Sequence, residues 1–88
     1  MAEFLLELYV PRWQRRAAVD GADRAALVAE RLRRDGASIR YLRSIFVPED
    51  ETCFLVYEAA SADEVRRAAS IAGLPSDHVV KALEAEAR

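Results

Sequence analysis

Residues 39–75, IRYLRSIFVPEDETCFLVYEAASADEVRRAASIAGLP, constrain this chain more than any other stretch. Two apolar segments flank Pro48-Glu49-Asp50-Glu51, a solvated run of strong turn formers, which predicts two strands joined by a tight connection. The segment at 38–47 alternates, with Ile39, Tyr41, Arg43, Ile45 and Val47 on one side and Arg40, Leu42, Ser44 and Phe46 on the other. The segment at 52–58 is apolar on both sides. Cys53, Leu55 and Tyr57 share one, Phe54 and Val56 the other, as expected of a central strand covered on each face. Ser61-x-x-Glu64 then has the form of a capping box, and Val65, Ala68, Ala69 and Ala72 recur at helical spacing. Gly73 supplies a left-handed stop and Pro75 prevents the helix from resuming.

The rest of the chain extends this pattern. Residues 3–10 place Phe4, Leu6, Leu8 and Val10 on one face and Glu3, Leu5, Glu7 and Tyr9 on the other, a strand that Pro11 ends. Residues 11–19 form a loop carrying Trp13 among Arg12, Arg15 and Arg16. A helix is predicted over 20–35, with Asp20 as cap, Ala25, Val28, Ala29 and Leu32 as buried stripe, and Gly36 as stop. Arg31, Arg33 and Arg34 fall in its last turn, where cations favour the dipole, so that cluster needs no ligand to explain it. Residues 78–83 make a last short strand before a polar tail at 84–88. The order strand–helix–strand–strand–helix–strand is the split βαβ pattern of ferredoxin-like α+β folds. It predicts one domain over residues 1–88, with right-handed crossovers, an antiparallel sheet, both helices on one face, and the first and third strands central.

Two helices cover only one face of such a sheet, yet Leu5, Tyr9 and residues of the second and third strands face the other way. A chain of 88 residues buries roughly 60–65% of its unfolded surface, so a partner would add to a small core. An uncovered apolar face predicts a homodimer or higher homo-oligomer, packed sheet on sheet or edge on edge as in dimeric α/β-barrels. The net charge of −2 gives no electrostatic reason to bind nucleic acid or an anionic membrane. Cys53 is the only cysteine, and the N-terminus lacks the basic start and cleavage site of a signal peptide. A cytoplasmic protein is expected.

Chemistry-bearing residues are few. Cys53 and His78 are the only available nucleophile–base pair, and the expected topology puts the first strand between them. A metal shared across a dimer axis is less demanding: His78, Cys53 and a carboxylate such as Glu7 are ligand types that nickel or zinc accepts. Tyr9, Trp13, Tyr41, Arg43 and Tyr57 are the candidates for a small-molecule cleft, against the commoner use of strand aromatics in cores and interfaces. No Gly-rich phosphate loop or paired-carboxylate motif is present.

Residues 40–80 also carry a family likeness: the acidic hairpin turn, the Phe-Leu-Val-Tyr-Glu-Ala strand exit at 54–59, Ser-x-x-Glu-Val-Arg-x-Ala-Ala at 61–69, and Ala-Gly-Leu-Pro at 72–75. In these motifs the segment resembles the nickel-binding-protein-like family of small bacterial ferredoxin-fold proteins, a domain of unknown function. The resemblance implies a ferredoxin-like fold, self-association, and binding of nickel or another divalent transition metal, with His78 as first suspect. Two readings follow. One is a small non-catalytic protein holding a metal or small ligand at a dimer interface. The other is a small enzyme of the dimeric α/β-barrel kind, monooxygenase- or isomerase-like, acting in a cleft between sheet and helices.

Overall fold

The computed structural model describes residues 1–85. Its elements run β1 (Ala2–Tyr9), α1 (Arg15–Arg34), β2 (Ile39–Val47), a 3-10 turn (Pro48–Asp50), β3 (Thr52–Ala59), α2 (Ala62–Ile71) and β4 (Val79–Ala82). The four strands are ordered β2-β3-β1-β4, with every neighbouring pair antiparallel. This is the ferredoxin-like α+β arrangement, with β1 and β3 in the middle as their patterns require.

Register explains the core. Phe4 lies opposite Tyr57, Leu6 opposite Leu55 and Leu8 opposite Cys53, so one face of the central pair is wholly apolar. These residues join Ala18, Ala22, Ala25, Ala29 and Leu32 of α1 and Val65, Ala68 and Ala69 of α2 in a single buried cluster. Both helices therefore lie on one side of the sheet. Their small alanine faces let the two layers approach closely, and the molecule is only 18 Å deep in its thin direction.

Local signals set the helix ends. The Ser61 hydroxyl accepts a hydrogen bond from the Glu64 N–H at 3.3 Å, the first half of the predicted capping box. The reciprocal half does not form, and Glu64 Oε2 is buried without a hydrogen-bond partner among the described residues. Both C-termini close in Schellman motifs. Ala37 N–H donates to Leu32 O and Gly36 N–H to Arg33 O; Leu74 N–H donates to Ala69 O and Gly73 N–H to Ser70 O. The turn glycines adopt φ of 99° and 75°, where a side chain would be strained.

Two expectations are corrected. The first helix begins at Arg15, not near Asp20. Arg15-Arg16-Ala17-Ala18 are good helix formers, and a turn in which Gln14 N–H donates to Pro11 O delivers the chain straight into the first turn. Asp20 is consequently an exposed mid-helix residue rather than a cap, and no acidic residue occupies the first turn. The second correction is in β2. Its pairing skips a residue between Tyr41, opposite Tyr57, and Arg43, opposite Val56, leaving Leu42 as a bulge. Beyond it the faces exchange: Ser44 and Phe46 turn toward the helices, while Arg43, Ile45 and Val47 turn to the open side. The last strand spans Val79–Ala82 within the predicted 78–83; of the tail at 84–88, positions 86–88 lie outside the described residues.

Gly21 sits buried within α1, and a Cβ there would meet Leu74 Cδ2 at 3.5 Å, an ordinary contact. Gly21→Ala is expected to stabilise the fold by about 0.5–1 kcal/mol through the lower entropy of its unfolded chain. A lower urea midpoint in chemical denaturation would contradict this account of the helix.

Candidate functional site

The open face of the sheet is built from alternate residues of all four strands. One row across it runs Ile45 of β2, Phe54 of β3 and Glu7 of β1. The Glu7 N–H donates to the His78 carbonyl at 2.9 Å, which carries the β1–β4 pairing one residue beyond the strand and brings His78 beside Glu7. Tyr9, opposite Thr52, stands in the next row. Glu7, Leu8, Tyr9, Thr52 and His78 line a depression of about 180 Å³. An accessible carboxylate, an imidazole, a phenol and a hydroxyl thus share one end of the open face. Glu7, Tyr9 and His78 are all exposed, so their donor atoms are available to an incoming ligand.

Cys53 does not join them. It lies opposite Leu8 on the helix-facing side and is almost wholly buried. Glu7 belongs to the other face, so the sheet itself stands between the thiol and the Glu7–His78 pair. Among the described residues no group of three His, Cys, Asp or Glu side chains converges to hold a metal ion. Cys53 instead borders a cavity of about 210 Å³ between α1 and the sheet, with Arg15, Ala18, Val19, Ser44 and Phe46. Burial pushes its thiol pKa up, which disfavours the reactive thiolate.

The five candidates for an organic-ligand cleft are also divided. Tyr9 and Arg43 are on the open face. Trp13 protrudes from the β1–α1 loop, 74% exposed, and covers no core edge. Tyr41 and Tyr57 are on the helix side, packed edge to face with ring centroids 5.8 Å apart. Tyr57 is completely buried and so is a core residue. Tyr41 borders a depression of about 220 Å³ with Ala26, Ala29, Glu30, Arg33 and Arg40. Glu30 there is paired with Arg33 and with the neighbouring Arg34, at 2.9 and 3.3 Å, whereas Arg40 forms no ion pair among the described residues. The hydrogen bonds from Arg33 hold the Glu30 carboxyl below the usual carboxylate range. Thr52 is the polar member of the Glu7–His78 depression that sequence reasoning passed over, because strand pairing alone brings it beside Tyr9.

Fold and site together describe a small ferredoxin-like protein with one uncovered sheet face and a two-donor cluster at its end. A family model described as "Nickel responsive protein SCO4226-like" matches residues 9–81 of the 88, and the chain belongs to that family. No curated protein and no solved structure matches it. Among the described residues no helix is long and apolar enough to cross a membrane.

The buried Tyr57 hydroxyl has no hydrogen-bond partner among the described residues. Burial, with a smaller contribution from Tyr41, pushes its pKa far above the usual phenol value. The folded state therefore keeps the Tyr57 and Cys53 protons in a range where the unfolded chain releases them, near pH 8.5 for thiols and 10 for phenols. Their contribution to stability is complete below about pH 8.5 and is lost progressively as pH rises. Tyr57→Phe should be neutral or stabilising by up to about 1 kcal/mol at pH 7, since it deletes an unpaired buried group. Urea midpoints at pH 7 and 10 should show a smaller alkaline loss for Tyr57→Phe than for the parent chain.

Proposed function

We propose that this protein is a small, non-catalytic nickel-binding protein that self-associates through its open sheet face. Glu7 and His78 supply one chain's share of a metal site completed by a second copy. The observation that carries the reading is the meeting of Glu7 and His78 on exposed, register-defined positions at the end of that face. Imidazole nitrogen and carboxylate oxygen are both donors that nickel accepts, and two donors per chain become four about a two-fold axis. Membership of a family described as nickel responsive supports the choice of metal.

Self-association has its own support in the exposure of apolar side chains on the same face. Tyr9, Ile45 and Val80 are 72%, 43% and 52% exposed there. Leu5 and Val80 lie opposite one another, and the half-buried Phe54 extends the apolar area onto β3, where Val56 is already buried. Covering such a face removes apolar surface from water at about 25 cal/mol per Å², the main driving force for association. A cytoplasmic location accords with the lone unpaired cysteine.

Calorimetric titration with nickel, with oligomer mass measured on the same sample, tests both parts. The parent chain should bind stoichiometrically as a dimer or larger assembly, and His78→Ala should lose that binding while keeping its mass. Ile45→Glu places a charge on the open face two strands from Glu7, and should give a monomer with weakened nickel affinity. Undiminished nickel binding by His78→Ala removes this residue from the site. A monomeric parent chain that still binds nickel would sink the shared-site geometry.

A further inference from the structure

On the opposite side of the molecule, away from the open sheet face, α1 and α2 border a groove of about 250 Å³. Its lining is Arg24, Leu27, Val28 and Arg31 of α1, with Ile71 and Ala72 at the end of α2. The four α1 residues follow i, i+3, i+4, i+7 spacing and so make one stripe along the helix. This stripe adjoins the Ala25–Ala29–Leu32 stripe that packs on the sheet, and the half-buried Val28 packs against the core as well as bordering the groove. Leu27 and Ile71 are 70% and 56% exposed, so two large apolar side chains flank the groove in contact with water. Scattered exposed leucines are ordinary; apolar side chains converging on one groove between cations are not.

The electrostatics of the groove are one-sided. Both ionisable residues that line it are arginines, and no carboxylate does. Arg24 Nε donates to the Ala72 carbonyl at 3.0 Å, which fixes its guanidinium against the groove end. Its Nη donors make no hydrogen bond among the described residues. Arg31 forms no ion pair among the described residues, unlike Arg33 and Arg34. Seven residues of helix separate the two arginines by about 10 Å along the axis. The groove is thus an apolar slot with a cation at each end.

We propose that this groove binds a single-chain alkyl carboxylate, its hydrocarbon along Leu27, Val28 and Ile71 and its head on Arg24. Arg24 offers donors already held in place, so little side-chain entropy is lost on binding. A carboxylate head complements the two arginines, and no acidic side chain lines the groove to repel it. The site is independent of the nickel reading, lying on the other layer of the molecule.

Decanoate below its micelle concentration is the probe, followed by amide chemical shifts of the full chain, with decanol and decyltrimethylammonium as controls. Saturable shifts confined to residues 24–31 and 71–72, with decanoate tighter than either control, are expected. Arg24→Gln should weaken decanoate by about fivefold, the worth of one partly exposed charge contact, and Arg31→Gln by less. Leu27→Glu, also at an exposed position, should abolish binding without altering the urea midpoint. Equal binding of decanol, an unchanged Arg24→Gln, or shifts centred on Tyr9, Ile45 and Val80 would each overturn the assignment. Binding to phosphatidylglycerol vesicles without response to decanoate would assign the groove to a bilayer surface instead and refute it.

Discussion

The antiparallel pairing of β1 with β3 is the constraint from which the rest of the molecule follows. Phe4, Leu6 and Leu8 meet Tyr57, Leu55 and Cys53 in register, and a slip of one residue would exchange the apolar and mixed faces of the pair. Once that face is fixed, the alanine stripes of α1 and α2 have one surface to cover. β2 and β4 then extend the sheet from its two sides. The same pairing fixes which groups are left out. Glu7, Tyr9, Thr52 and Phe54 face away from the core because their neighbours face into it.

Two-layer construction gives the protein two chemically different surfaces. The open sheet face carries apolar side chains across its strands and ends in Glu7 and His78. The helix layer is mostly charged, with short-range pairs such as Arg66–Asp63 and Arg33–Glu30 that contribute little individually to stability. Between its helices it leaves one apolar slot ended by Arg24 and Arg31. Association through one surface leaves the other accessible, so the two proposed sites do not compete for the same residues.

Much of this was legible from residue pattern. Period-two alternation located β1, the doubly apolar run located β3 as a central strand, and Ser61, Gly73 and Gly36 marked helix ends through simple backbone chemistry. The start of α1 was not legible, because Asp20 has the chemistry of a cap while Gln14 makes no side-chain cap at all. Nor was the bulge at Leu42. A run such as Ile39-Arg40-Tyr41-Leu42-Arg43 alternates equally well with or without an extra residue, and only pairing with Tyr57 and Val56 shows which one is surplus.

The candidate site divides in the same way. Sequence by itself determined the order of elements, the apolar face of the central strands, and the short inventory of donors: one histidine, one cysteine and scattered carboxylates. Those are properties of each residue and its near neighbours along the chain. Tertiary structure decided which donors meet. It set Glu7 beside His78 through a strand pairing that spans most of the chain, and it turned Cys53 to the far side of the sheet. It also brought Ile71 of α2 to the Leu27 stripe of α1. Strand register and layer packing are long-range relations, and a local pattern of residues does not contain them.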